Sequence, residues 1–143
     1  PTDGDHPALK RERLVEPVAD RREERGNNAE VLNADCWFRG LHSVALDDAV
    51  GVCTRAIERS GNPANELDSR AMVHFRRGDF ASALADIDEA LELSPELSNT
   101  RYLKGIVLLE QGKSEGRELV EMALRQSPEL AAQYSLYGIA PKQ

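Results

Sequence analysis

The sequence predicts an all-α fold made of three tandem helix-turn-helix repeats, and two observations carry this prediction. The first is an internal copy: the octet that begins at Ala90 returns at Ala123, identical at six of eight positions and displaced by 33 residues. The second is a period of 34 residues in small residues and turn glycines, because Ala71 returns as Gly105 and Gly78 returns as a glycine at 112. A period of this length is that of one supersecondary unit, whose stacking builds a continuous core.

Extending the register towards the amino terminus gives a third copy. Ala49 and Ala56 then align with Ala83 and Ala90, and three copies are the number that such an array usually needs for stability. The predicted repeats cover about residues 30–63, 64–97 and 98–130, and a terminal helix over 131–138 completes a domain of residues 30–143.

Residues 1–29 are predicted to form a charged amino-terminal arm that is flexible or loosely docked. The first 30 residues contain 14 charged side chains, 6 basic and 8 acidic, and are interrupted by three prolines. Mixed charge of this kind favours solvation over packing. The alternative is an arm that folds against the repeats or against a partner.

Helix-forming periodicity dominates from Asn28 onward, and helix breakers fall between the periodic stretches. Gly78-Asp79 and Gly112 are expected to form tight turns inside two pairs, whereas Pro63 and Pro95 separate the pairs. Helices are therefore predicted over residues 29–42, 46–59, 65–77, 80–93, 97–111, 114–126 and 131–137.

The central repeat resembles the tetratricopeptide repeat, a helix-turn-helix unit of 34 residues. The resemblance is carried by Ala71, Gly78-Asp79-Phe80, Ala83, Ala90-Leu91 and Ser94-Pro95. It implies a right-handed superhelix in which small residues let paired helices approach closely. The third copy is one residue short, and the first copy departs further: it lacks the turn glycine and has Trp37 where the other copies have Ala71 and Gly105.

A narrower resemblance links the chain to small tetratricopeptide proteins of alphaproteobacteria, many of them exported. The residues that carry it are Asn33, Cys36-Trp37, Ala49-Val50, Cys53-Thr54-Arg55-Ala56-Ile57 and Asp68-Ser69-Arg70. The resemblance implies a periplasmic or otherwise exported protein, with a cytoplasmic location as the alternative. The chain begins at Pro1 rather than Met, and we expect that a segment upstream was removed, either as a cleaved signal peptide or because the sequence is a piece of a longer chain.

The two cysteines, Cys36 and Cys53, are placed by the repeat register on facing helices of the first pair. Packed helices can bring Cα atoms within the roughly 7 Å that a disulfide needs, and such a bond forms in an oxidising compartment. The alternative is that both are small buried thiols of a cytosolic protein.

Composition limits the classes of partner and chemistry. Acidic residues outnumber basic ones, 25 to 18, which argues against nucleic acid as the main partner. No apolar run approaches the roughly 18 residues of a membrane span, so membrane insertion is not expected. The three histidines are isolated, and no nucleophile comes with an acid and a base. We therefore expect no catalytic residue, no metal site and no cofactor.

The family resemblance implies that a protein or peptide partner binds in a concave groove lined by the first helix of each pair. Reading one face of these helices predicts an apolar groove with charged edges, in which Asp68, Arg76 and Glu110 set the register of the ligand. The alternative is that several of these side chains only pack on neighbouring segments. The predicted groove residues are Phe38, Leu41, His42, Asp68, Met72, Phe75, Arg76, Tyr102, Ile106, Leu109 and Glu110.

The same face lacks the Lys and Asn residues with which some tetratricopeptide proteins hold the acidic tails of chaperones. Acidic runs on the second helices, Asp86 to Glu92 and Glu115 to Glu121, are expected to form the solvated convex side.

The sequence thus predicts a non-catalytic module that binds a protein or peptide of unknown identity and acts as an adaptor or scaffold. The alternative function is that of a structural or assembly subunit that forms a homodimer through its terminal repeat. Such a dimer would be held by Tyr134, Leu136 and Tyr137.

Overall fold

The computed structural model describes residues 28–143, so the arm predicted for residues 1–29 lies almost entirely outside the described residues. Over the described range the chain forms seven α-helices and no strand, which confirms the all-α prediction. The helices are α1 (Ala29–His42), α2 (Leu46–Arg59), α3 (Ala64–Arg76), α4 (Phe80–Leu93), α5 (Ser98–Glu110), α6 (Gly116–Gln126) and α7 (Leu130–Ser135).

Two helix ends differ by two residues from the predicted ones, and local hydrogen bonds explain both. Helix α6 begins at Gly116 because the preceding residues form a turn, in which the amide of Gly116 donates to the carbonyl of Lys113 (3.2 Å). Helix α7 ends early because the chain tightens after Ser135. There the amides of Tyr137 and Gly138 donate to carbonyls three residues back, each at 3.0 Å.

The turns inside the pairs show where the first repeat departs from the others. Gly78 and Gly112 have φ values of 77° and 76°, the left-handed region that glycine enters without steric cost. The first pair turns without glycine and places Ser43 (φ 53°) and Ala45 (φ 46°) in that region instead. Each non-glycine residue there costs roughly 1–2 kcal/mol, so the packing of α1 on α2 must offset this strain.

The helices pack in the order of the sequence, as tandem repeats require. Helices α1 and α2, α3 and α4, and α5 and α6 form three pairs. The first helices also contact one another, α1 with α3 and α3 with α5, and each second helix contacts the first helix of the next pair. We call the surface that α1, α3 and α5 share, on the side away from the second helices, the concave face.

Small residues set the distance between paired helices. Ala71 and Ala83 are completely buried between α3 and α4. In the next pair the approach is closer still: a Cβ added to Gly105 would lie 2.7 Å from the carbonyl oxygen of Gly116, and one added to Gly116 would lie 2.5 Å from the carbonyl oxygen of Gly105. Helices α5 and α6 therefore touch through their backbones.

The expected acidic face of α4 is interrupted by Asp86, which is buried rather than solvated. Its carboxylate accepts two hydrogen bonds of 2.7 Å from Nε and Nη2 of Arg70 on α3, and only 5% of the residue is exposed. This corrects the prediction that the whole acidic run is solvated. The physical reason is that a buried carboxylate requires a partner, and the fork of Arg70 supplies one across the pair.

A disulfide joins Cys36 of α1 to Cys53 of α2, with their Cα atoms 5.0 Å apart. Both residues are completely buried, and they lie in the apolar cluster that α1 and α2 share with Val73 of α3. The predicted disulfide is therefore confirmed, and it links the two helices of the first pair, α1 and α2, covalently.

Candidate functional site

The apolar part of the concave face is covered by the end of the chain itself. We call residues 130–143 the C-terminal segment. Its residues Leu130, Tyr134 and Ile139 are buried in the same apolar cluster as Tyr102 and Ile106 of α5. The rings of Tyr134 and Tyr102 meet edge to face, with their centroids 5.1 Å apart. The chain thus fills part of the surface on which a partner was expected.

Arg76 of α3 ties this segment to the first helices. Its Nε donates to the carbonyl of Gly40 (3.0 Å), and its Nη2 donates to the carbonyls of Leu41 and Tyr137, each at 2.7 Å. These three carbonyls belong to the end of α1 and to the C-terminal segment. Arg76 was predicted to set the register of a ligand, and the structure shows it bonded within the chain.

Five apolar residues predicted to line the groove are buried and not accessible to a partner, and this corrects the expected groove. Met72 and Ile106 are completely buried and Tyr102 is 1% exposed. Leu41 and Leu109 are also buried. The C-terminal segment accounts for part of this burial, because Tyr134 packs on Tyr102 and Leu130 and Ile139 lie in the same apolar cluster. The helices account for the rest, since Met72 lies against Gly40 of α1 and Leu109 lies against Gly116 of α6.

The other predicted groove residues lie towards the carboxyl ends of the first helices. The ring of Phe38 contacts that of His42 at a tilt of 42°, with ring centroids 4.4 Å apart, and Phe38 remains 55% exposed. Phe75 packs on Phe80, at 6.1 Å between centroids. Glu110 lies 3.6 Å from the ammonium of a lysine in the C-terminal segment.

An open cleft of about 480 Å³ lies at the amino-terminal ends of the first helices. All three first helices contribute to it, and Asp68 is the one predicted site residue in its lining. The lining residues are Glu30, Asn33, Ala34 and Trp37 of α1, Asn65, Glu66, Asp68 and Ser69 of α3, and Asn99 of α5. The accessible part of the concave face is therefore its polar half, whereas the sequence predicted that the apolar half would be accessible.

Asp68 is a buried residue of the cleft lining and accepts hydrogen bonds from two residues of α5. Its carboxylate accepts hydrogen bonds from Oγ1 of Thr100 (2.9 Å) and Nδ2 of Asn99 (3.2 Å). Burial raises the pKa of Asp68 to about 6, although these two hydrogen bonds act in the opposite direction. At pH values above this pKa, the ionised carboxylate adds negative charge to the cleft.

Two buried side-chain oxygens of the lining have no hydrogen-bond partner among residues 28–143. They are Oδ1 of Asn33 and Oε2 of Glu66. Glu66 is only 9% exposed, so its unpaired oxygen is screened from bulk water. Buried acceptors in proteins are normally paired, and an unpaired one beside an open cleft can accept a hydrogen bond from a ligand.

A second cavity of about 230 Å³ adjoins the cleft and is more apolar. Trp37 of α1 lines both cavities. The remaining lining comes from the concave face and the C-terminal segment, namely Leu41, Gln133, Tyr134, Leu136 and Tyr137. Trp37 is thus the shared wall between a polar and an apolar space.

The repeat register of the sequence indicated that Trp37 is unusual, but it did not predict a role for this residue in the cleft. Trp37 occupies the position at which the other copies have Ala71 and Gly105. An indole where the repeat requires a small residue cannot enter the tight contact between helices. The structure shows that it lies on the concave face instead.

Residues 64–97, which form α3 and α4, match the family model of the tetratricopeptide repeat. The chain is also 32% identical over 99 residues to bacteriophage adsorption protein A of Escherichia coli (strain K12). This alignment covers 68% of the chain and 10% of that protein, so the chain spans about a tenth of the length of this relative. No solved structure matches the chain. None of the helices in residues 28–143 has the length and apolar content needed to cross a bilayer.

Proposed function

We propose that this tetratricopeptide repeat chain is a non-catalytic adaptor or scaffold that binds a protein or peptide through the open half of its concave face. The tetratricopeptide repeat is a protein-interaction module, and stacked repeats of this kind bind partners on their extended concave surfaces. The observation that carries the proposal is the cleft of about 480 Å³ to which all three first helices contribute.

The polar cleft supports recognition better than the apolar groove that the sequence predicts. In the apolar half, Met72, Tyr102 and Ile106 are buried in the cluster that residues of the C-terminal segment complete. In the polar half, Asn65 is exposed and Glu66 and Asn33 have unpaired oxygens. A peptide in the cleft would gain hydrogen bonds without first displacing any of residues 28–143.

Site-specific photo-crosslinking tests this proposal. A photoreactive phenylalanine analogue replaces Asn65, which lines the cleft, or Glu118, which is exposed on α6. We expect defined crosslinked partners from position 65 and none from position 118 in the native cell extract. Equal crosslinking from both positions, or crosslinking from position 118 alone, would contradict a concave-face site.

Self-association through the terminal repeat is the second candidate, and one observation favours it. Leu136 is 82% exposed, although it is a large apolar residue. The other two residues predicted for this interface are less available, because Tyr134 is buried and Tyr137 is half-buried. Sedimentation equilibrium at about 50 µM distinguishes the two functions, since a dissociation constant of about 1 µM would make most of the protein dimeric at this concentration. A monomer supports the adaptor, whereas a dimer abolished by Leu136→Ser supports self-association.

We further propose that the protein is exported to an oxidising compartment such as a periplasm. The disulfide between Cys36 and Cys53 supports this location, because such bonds are rare in the cytosol. The similarity to a protein named for bacteriophage adsorption also supports it. Thiol alkylation of protein taken from acid-quenched native cells is expected to add no mass before reduction and two adducts after it. Two free thiols before reduction would contradict export.

A further inference from the structure

The open cleft has an uneven distribution of charge. Three carboxylates line it, those of Glu30, Glu66 and Asp68, and none of its lining residues in the described range 28–143 is basic. The full chain, with these carboxylates included, has a net charge of −7. Such a site attracts cationic groups and repels anionic ones.

The position of Glu66 in the first turn of α3 has an ordinary explanation, since an acidic residue there complements the helix dipole. That explanation accounts for the residue type but not for its environment. A carboxylate that only complements the dipole keeps its oxygens in water, whereas Glu66 is nine-tenths buried and its Oε2 has no partner among the described residues. A buried acceptor without a partner is costly until a donor approaches it.

Asp68 does not compete with Glu66 for a donor group of the ligand. Its two oxygens already accept hydrogen bonds from Asn99 and Thr100, so it contributes charge to the cleft rather than a free acceptor. Glu66 and the amide oxygen of Asn33 are the free acceptors. The ligand group that fits them carries positive charge and several N–H donors.

The ligand group could be the side chain of Arg or that of Lys, and Trp37 favours Arg. The indole forms the wall between the cleft and the apolar second cavity, and a cation over an indole is attracted by the ring electrons. A guanidinium is planar and has five donors, so it can stack on an aromatic ring while it donates to a carboxylate. Arg therefore fits the cleft better than Lys.

We propose that the acidic cleft binds an Arg side chain of a partner peptide and that an apolar side chain two positions away enters the second cavity. Side chains two positions apart on an extended peptide point to the same side and are about 7 Å apart, which suits two cavities that share one tryptophan wall. This inference rests on the proposed concave-face function, and it adds the chemical class of the ligand.

Fluorescence of the full chain tests this proposal, because Trp37 is its single tryptophan. The probe is the blocked peptide Gly-Gly-Arg-Gly-Leu-Gly-Gly. Matched peptides replace Arg by citrulline, which keeps the shape and removes the charge, or by Glu, or replace Leu by Gly. We expect saturable binding of the Arg peptide and about tenfold or greater weakening with citrulline, the size expected for the loss of charge-assisted hydrogen bonds. The Leu-to-Gly peptide should also bind more weakly.

The protein variants supply the matched control. Glu66→Gln keeps the shape of the side chain and is expected to weaken binding of the Arg peptide about tenfold. Glu92→Gln removes one charge from an exposed position on α4 and is expected to change binding less than twofold. Circular dichroism establishes that each variant is folded, and Glu30→Gln provides a second test at the exposed edge of the cleft.

The outcomes of these experiments distinguish the proposed Arg ligand from the proposed binding of a partner on the concave face. If the citrulline and Glu peptides bind as well as the Arg peptide, or if Glu66→Gln has no more effect than Glu92→Gln, the cationic ligand is wrong while the concave-face site stands. If the Arg peptide gives no saturable change up to about 1 mM, the proposal is overturned. If photo-crosslinking from position 65 also captures no partner, the proposed concave-face function is contradicted as well.

Discussion

Replacing Gly105 by Ala tests the backbone contact that joins α5 to α6. The added Cβ would lie 2.6 Å from Cγ2 of Val120, 2.7 Å from the carbonyl oxygen of Gly116 and 3.0 Å from the amide nitrogen of Val120. Favourable contacts between carbon atoms lie at about 3.5–4.0 Å, and two of these three atoms belong to backbone that cannot rotate away. Overpacking of this kind costs about 1–3 kcal/mol, and we expect the upper part of that range.

Gly51→Ala in α2 is the matched control. Both glycines lie inside helices, so both variants gain about 0.5–1 kcal/mol from the higher helix propensity of Ala. A Cβ added to Gly51 has no heavy atom of a neighbour within 4 Å. We therefore expect Gly51→Ala to raise the free energy of unfolding and Gly105→Ala to lower it, with a difference of about 2–3 kcal/mol between the variants.

Urea denaturation followed by circular dichroism measures this difference, provided that the transitions are two-state and have equal slopes. Equal effects of the two substitutions would refute the reasoning, because they would show that α5 and α6 are not held in backbone contact. Gly116→Ala approaches the same contact from the other helix, where its Cβ would lie 2.5 Å from the carbonyl oxygen of Gly105. It is expected to be destabilising as well.

Replacing Cys36 and Cys53 together by Ala is expected to lower the free energy of unfolding by about 3 kcal/mol, because the bond closes a loop with a sequence separation of 17. Urea denaturation measures the loss, and no loss would contradict a constraining bond. Arg76→Ala leaves three carbonyls without their donor and should cost about 1–3 kcal/mol. It should also speed hydrogen exchange of the Ile139 amide, and unchanged exchange would contradict the tie to the C-terminal segment. For Asp68, burial raises the pKa to about 6 in the folded chain, above about 4 in the unfolded chain. The stability gained from protonation is present below pH 4 and is lost as pH rises through 6. Asp68→Asn should therefore remove roughly 2–3 kcal/mol of pH dependence between pH 4 and 7, and parallel profiles of the two proteins would contradict the raised pKa.

The repeat in the sequence was enough to predict the helices because its signals are local. Gly78 and Gly112 mark the turns of the second and third pairs, and both adopt the left-handed conformation that these turns need. The register also placed Cys36 opposite Cys53, and the structure joins them. These features depend on positions within one or two repeats, over which the 34-residue period fixes the alignment.

The candidate site was less predictable because it depends on how distant segments meet. The sequence showed apolar residues on the first helices, but not that Tyr134 and Ile139 would return to join the apolar cluster that contains Tyr102. The buried state of Glu66 was also invisible, since an acidic residue in the first turn of a helix is usually solvated. Sequence periodicity predicts which face a residue occupies, not which segment covers that face.

Nuclear magnetic resonance of the full chain, titrated with the Arg peptide, tests the central claim most directly. We expect the shifts to concentrate on the indole N–H of Trp37 and on the side-chain amides of Asn33, Asn65 and Asn99, because these groups line the cleft. Signals from exposed positions on the second helices α2, α4 and α6 should not move. Shifts confined to the second helices, or an equal response to the citrulline peptide at the cleft, would contradict recognition of a cationic peptide on the concave face.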